Sequence, residues 1–172
     1  MLKRILKYVF FVAIGLFVAI QFIPAGYTYP ETKKGETLGE IHSMPPDVAQ
    51  IIKTSCADCH SHDTVYPFYS NIAPVKFLMA KDIREGRDEL NFSVWGSYSE
   101  KRRKHKLEEM CEEVGEGEMP LSIYLVTHRD AVLDDAKKKA LCDWTKSTAG
   151  TIKVADSGKG GDGKEREEGD DH

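Results

Sequence analysis

The chain has 172 residues, of which 41% are apolar and 30% charged, with a formal net charge of -4. That length suits one domain with a modest core plus appendages, and it excludes two independent cores. A slightly acidic chain of this kind generates no bulk positive field, so no nucleic-acid partner is expected.

The first element is an apolar run. Residues 8–24, YVFFVAIGLFVAIQFIP, carry no charge, and Lys3, Arg4 and Lys7 precede them. Extended by Leu2, Ile5 and Leu6, the run is long enough to cross a hydrocarbon core of about 30 Å as a helix. The basic residues on its amino-terminal side place everything after Gln21 outside the cytoplasm. FIPAGYTYP offers no A-x-A-like cleavage site, so residues 1–24 are expected to remain as an uncleaved anchor. Residues 25–42 are polar, glycine-containing and aperiodic, and read as a tether. From 149 to 172 glycine alternates with charge and apolar content nearly vanishes, which predicts a disordered tail. The domain proper is residues 43–148.

Four helices are expected in that domain, and no period-two alternation competes with them. PDVAQIIKTSCADCH places Val48, Ile51, Ile52 and Ser55 at helical spacing behind Pro45-Pro46. APVKFLMAKDIREGR puts Val75, Leu78, Met79 and Ile83 on one face. The third helix follows Ser97, which forms an S-x-x-E capping box with Glu100, and turns Leu107, Met110, Cys111 and Val114 inward. The fourth starts at Asp134 as N-cap and buries Ala140, Leu141 and Trp144. The fold class is therefore all-α.

The chemistry is concentrated in SCADCHSH, residues 55–62. Cys56, Cys59 and His60 fall on one edge of the first helix. Two thiols one turn apart suit addition to the two vinyl groups of a porphyrin, with the adjacent imidazole reaching the iron; C-x-x-C-H is the attachment signature for c-type haem. Three other readings compete. A redox C-x-x-C sits at a strand-to-helix junction, which a helical chain lacks. A zinc site needs a second spaced ligand pair, which Cys111 and Cys142 do not form. A Cys56–Cys59 disulfide leaves His60 without a purpose. One haem c per chain is the expected cofactor.

SCADCHSHDTVYPFYSNIAPVKFLMA, EGRDELNFSVW, GEMPLSIYLVTH and ALCDW together resemble the bacterial haem-binding domain family, made of small membrane-anchored or secreted c-type cytochrome-like modules. The family pattern reads C-x-x-C-H-S, Y-P-x-Y-S-N-I-A-P-V, G-(R/K)-x-x-L-N-F-S-x-W and E-M-P-L-x-x-Y, and this chain matches each in turn. The resemblance implies a small cytochrome c-like helical domain around one haem. This chain departs from the pattern at Asp82, where many relatives have histidine.

The second axial ligand decides the chemistry, because a thioether favours electron transfer and an empty face favours small-ligand binding. Met79 and Met110 lie on apolar stripes, and His62 is too near His60 to reach the other side of a ring. Met119 remains, in a loop that Gly115 and Gly117 allow to fold tightly and Pro120 stiffens. His128 is the runner-up. His60 should donate its other ring N–H to a backbone carbonyl, sought in YPFYSNIAP. Tyr66, Tyr69 and Trp95 are candidates to hydrogen-bond haem propionates and Arg84 or Arg87 to neutralise them, although aromatic residues in a small domain are core by default.

Cys111 faces the core by periodicity and Cys142 does not face with it, so a bond between them is not indicated. KRRKHK, residues 101–106, reads as a solvated helix face, with anionic headgroups or an acidic redox partner as the alternative. The expected function is a non-enzymatic electron carrier on the periplasmic side of a bacterial inner membrane, its redox partner unidentified. A haem peroxidase or small-ligand sensor with an open distal face is the competing reading, and a non-redox haem or metal carrier a third.

Overall fold

The structure, a computed structural model, describes residues 1–154; the expected tail beyond Val154 lies outside the described residues. Helix accounts for 68% and no strand occurs among the described residues, so the chain is all-α as its periodicity requires.

Helix α1 (Leu2–Gln21) has no buried residue, meets the domain at its last residue, Gln21, and is long and apolar enough to cross a membrane. The stretch after it is not the free tether expected. Short α2 (Leu38–Ile41) is held by a capping box between Thr37 and Glu40. Leu38 is 1% exposed, and the Glu36 carbonyl accepts from the Gly96 N–H at 2.8 Å. Full burial of one leucine is worth about 2 kcal/mol, enough to hold this segment against the domain.

The expected first helix is two. Helix α3 (Pro46–Ser55) starts with proline at its first position and buries Val48, Ile51, Ile52 and Ser55. Cys56 then leaves helical geometry at φ -129°, ψ -39°, and α4 (Ala57–His60) restarts from it. The break lets α4 lie against α5 (Val75–Glu89) where Gly86 presents no side chain. Helix α5 also differs from its pattern. It buries Lys76, Ala80 and Ile83, whereas Val75 and Leu78 are 40% and 44% exposed. Small residues allow close approach to α4, and that approach turns half of the apolar stripe outward.

Helix α6 (Glu100–Glu116) buries Leu107, Met110 and Val114. Its N-cap is Ser99, whose hydroxyl accepts from the Arg102 N–H; Ser97, the expected cap, instead donates to the Val94 carbonyl. Gly117 at φ +85° ends the helix in the left-handed conformation that glycine adopts without strain. Helix α7 (Ser122–Leu125) is a single turn. Helix α8 (Asp135–Thr151) begins at Asp134, whose carboxylate accepts from the Lys137 N–H, as its sequence predicts. It continues past 149 with Ala149 buried, so the first residues assigned to the tail belong to the domain.

The core joins α3, α6 and α8 around Trp95, Leu107 and Leu141, all completely buried. Trp144 donates its indole N–H to the Ser43 carbonyl at 3.1 Å. Cys111 and Cys142 form a disulfide between α6 and α8. Helix α8 packs against α3 as well as α6, so its buried arc is wider than the Ala140, Leu141, Trp144 stripe and reaches Cys142.

Candidate haem site

Helices α4, α5, α6 and α7 surround a cavity of about 380 Å³. Cys56, Cys59 and His60 line one part of it, and Met119, Pro120 and Leu121 another. Leu90, Phe92, Met110, Val114, Leu133 and Leu141 supply an apolar lining. The volume lies within the range of cofactor pockets, about 300–1,000 Å³.

His60 is held from behind. Its Nδ1 lies 2.8 Å from the Gly86 carbonyl and 3.0 Å from the Leu90 carbonyl. Carbonyls only accept, so Nδ1 carries the proton and Nε2 keeps its lone pair free for a metal. The acceptors come from the end of α5 and not from YPFYSNIAP, where the sequence reading sought them. Burial outweighs these bonds and holds the His60 pKa below its ordinary value, which favours the neutral, ligating imidazole.

Cys56 and Cys59 are separate thiols. Burial pushes Cys56 up to about 12. Burial, with Asp58 and Asp82 adding to it, pushes Cys59 up to about 11. Neither thiol is held as the thiolate that thiol–disulfide exchange uses. Among the described residues no group of three or more His, Cys, Asp and Glu side chains is arranged to hold a metal ion.

Asp58, between the two cysteines, ties this segment to α7. It accepts from the Tyr124 hydroxyl at 2.7 Å and from the Val65 N–H at 2.9 Å. Burial, then the hydrogen bond to Asp58, raises the Tyr124 pKa and keeps it a donor. The Met119 loop is pinned at a single atom: the Glu113 carbonyl accepts from the N–H groups of Gly117, Glu118 and Met119. His128 does not line the cavity. It stacks on Tyr124 with centroids 4.0 Å apart, its Nδ1 3.1 Å from the Tyr124 carbonyl.

The candidates for propionate contacts, Tyr66, Tyr69, Trp95, Arg84 and Arg87, also lie outside the cavity lining. Tyr66 belongs to an aromatic cluster with Tyr27 and Tyr29. Trp95 is completely buried in the core. Arg87 clamps the surrounding chain, donating to the Ser61 carbonyl at 2.8 Å, the Thr28 carbonyl at 3.0 Å and the Thr64 hydroxyl at 3.0 Å. The cation in the cavity wall is Lys106, at the end of the basic run, bonded to Glu109 at 2.7 Å. Arg102 of the same run stacks on Tyr98, and Arg103 donates to the Trp95 and Gly96 carbonyls. Much of the run is thus engaged within the domain.

Asp58, Gly86, Leu90, Lys106 and Tyr124 are the site residues that sequence reasoning missed. The signal for two of them lay in G-R-D-E-L-N-F-S-V-W, residues 86–95. Gly86 and Leu90 hold His60, while Asn91 donates to His62 Nε2 at 3.1 Å and Ser93 accepts from the His62 N–H at 2.9 Å. Asp82 also lines the cavity, its pKa raised by burial and by Glu85.

The donor set and the apolar lining fit a haem: one imidazole with its outer nitrogen fixed, two thiols beside it, a thioether in another wall. A model of the haem-binding domain family matches residues 15–147. No curated protein and no solved structure matches the chain.

Proposed function

Because the chain belongs to the haem-binding domain family, we propose that it is a membrane-anchored, single-haem c-type electron carrier. Haem binding follows from the family; covalent attachment, axial ligation and electron transfer are the proposal. In it Cys56 and Cys59 would hold the haem as thioethers, each thiol adding its sulfur and its proton across one vinyl group with no oxidant needed. His60 would hold the iron through Nε2 and Met119 through its thioether sulfur. Bound there, the haem supplies a reversible one-electron couple.

The chain's own residues do the rest. Gly86 and Leu90 orient the imidazole through their carbonyls. Asp58 and Tyr124 lock the attachment segment to α7, directly after the Met119 loop. Lys106, paired with Glu109 at 2.7 Å and Glu89 at 3.6 Å, is the cavity cation that would pair with a propionate. Residues 1–24 anchor the domain in the bacterial inner membrane, with the basic amino terminus inside and the domain on the periplasmic side.

The observation that carries this reading is the doubly fixed Nδ1 of His60, which leaves Nε2 for the iron in the same cavity as both thiols and Met119. The test uses the full chain, matured in a host competent for cytochrome c assembly. Wild type should show covalent haem with a weak near-infrared sulfur-to-iron band, lost in Met119→Ala. A high-spin wild type indifferent to that substitution would remove Met119 as ligand and move the reading to small-ligand or peroxide chemistry.

A further inference from the structure

Between Thr64 and Ala80, TVYPFYSNIAPVKFLMA, the sole charged residue is Lys76, in a chain that is 30% charged overall. This stretch is not core. Phe68 is 86% exposed and Val65 73%, and Ile72, Val75 and Leu78 are each exposed by two-fifths or more. A water-facing surface of a domain this size would carry charge, and contiguous exposed apolar side chains mark a contact surface.

The end of α1 meets that surface. The Gln21 side-chain oxygen accepts from the Ala73 N–H at 2.8 Å, and its amide nitrogen lies 3.4 Å from the Ala73 carbonyl. Lys76, 5% exposed, donates to the Gln21 main-chain carbonyl at 2.7 Å. A cation on the last carbonyl of a helix complements the negative end of its dipole. The single charge in the stretch therefore holds the apolar helix in place.

A helix of 20 residues is about 30 Å long, the thickness of a hydrocarbon core, so if α1 spans a membrane its last residue lies at the lipid surface. Ile72 and Val75, adjoining Ala73 and Lys76, are then at headgroup depth. Phe22 and Ile23, 82% and 53% exposed, continue the apolar surface where the chain leaves α1.

We infer that the face formed by Phe68, Ile72, Val75 and Leu78 seats on the outer lipid surface from which α1 emerges. This rests on reading α1 as a membrane anchor. The seat makes α1 and the domain one oriented unit. Helix α5 begins at that surface with Val75, and its far half carries Asp82, Glu85 and Glu89, which line the cavity. At 1.5 Å per residue the cavity end of α5 is up to about 20 Å along the helix from the lipid contact.

The test replaces Phe68, Phe10 within α1, or Lys101 on α6 by p-benzoylphenylalanine in the full haem-loaded chain. The protein is reconstituted in vesicles of phosphatidylethanolamine and phosphatidylglycerol, irradiated and weighed by mass spectrometry. Lipid adducts are expected at positions 10 and 68, with the yield at 68 about tenfold that at 101, as for a side chain buried in the headgroup region. Adducts at 10 alone would keep the anchor and overturn the seat. A cross-link from 68 to another polypeptide would overturn it in favour of a protein partner or a second copy. No adduct at 10 would remove the anchor and the seat together.

Discussion

Cys56 and Cys59 are three residues apart and remain separate thiols, whereas Cys111 and Cys142, 31 residues apart, are bonded to each other. The first pair begins at the break between α3 and α4, with Cys56 at the break and Cys59 inside α4, and lines a cavity. The second sits where two long helices press together. Nearness in sequence supplies a motif that one ligand can engage, while nearness in space supplies a brace. The chain uses one residue type for both, and the geometry of the supporting helices decides which. Gly86 lies so close to Cys59 that a Cβ there would be 2.9 Å from the Cys59 carbonyl oxygen and 3.1 Å from its Cβ. No such close support surrounds Gly115 near the second pair, where a Cβ would meet nothing within 4 Å.

The largest effect should come from removing the first pair. Cys56→Ala with Cys59→Ala should abolish covalent haem completely, read as haem that leaves the protein in acidified organic solvent and as no haem stain on a denaturing gel. Haem that stays attached would mean that these thiols are not the attachment points. Breaking the brace should act on stability alone. Cys111→Ser with Cys142→Ser reopens a loop of 31 residues, for which chain entropy predicts a loss of about 3.5 kcal/mol in urea unfolding. The haem spectrum should not change, and a lost spectrum with an unmoved midpoint would erase the contrast between the pairs.

Gly86→Ala sharpens the comparison with a single methyl group. It should cost about 1–3 kcal/mol by overpacking and reduce haem incorporation, because the clash is with backbone and the same residue's carbonyl holds His60. Gly115→Ala, in open space on α6, should instead stabilise by up to about 1 kcal/mol through helix propensity. Equal effects at the two glycines would show that close support of Cys59 is unimportant.

The smallest effect concerns pH away from both pairs, at His42, whose ring lies 6.0 Å from that of Trp95. Burial, and then Arg103, holds the His42 pKa below its ordinary value. The unfolded state therefore binds more protons than the folded one as pH falls below about 6.5, so His42 costs nothing above that pH and destabilises progressively below it. His60 and His62 are shifted in the same direction. His42→Gln should flatten part of the fall in urea midpoint between about pH 6.5 and 5, and an unchanged slope would assign the whole loss to other groups.

Features that depend on neighbours in sequence were legible from the residues alone. An uncharged run behind Lys3, Arg4 and Lys7 specifies an apolar helix wherever it folds. Cys56, Cys59 and His60 stay together because at most four residues separate them, and the Asp134 cap needs only the N–H three residues on. Leu107, Met110 and Val114 turn inward because helical spacing fixes their common face.

Tertiary structure decided what lies across the chain. Every residue carries a carbonyl, so nothing in the sequence marks those of Gly86 and Leu90 as the acceptors for His60; the docking of α4 on α5 selects them. Charge type alone also leaves open whether Arg87 or Lys106 lines the cavity, and the angle between elements sends the first to clamp Thr28 and Ser61 and the second inward. Leu38 and Cys142 found their partners the same way, through surfaces that exist only once α6, α8 and the residues around Trp95 have come together.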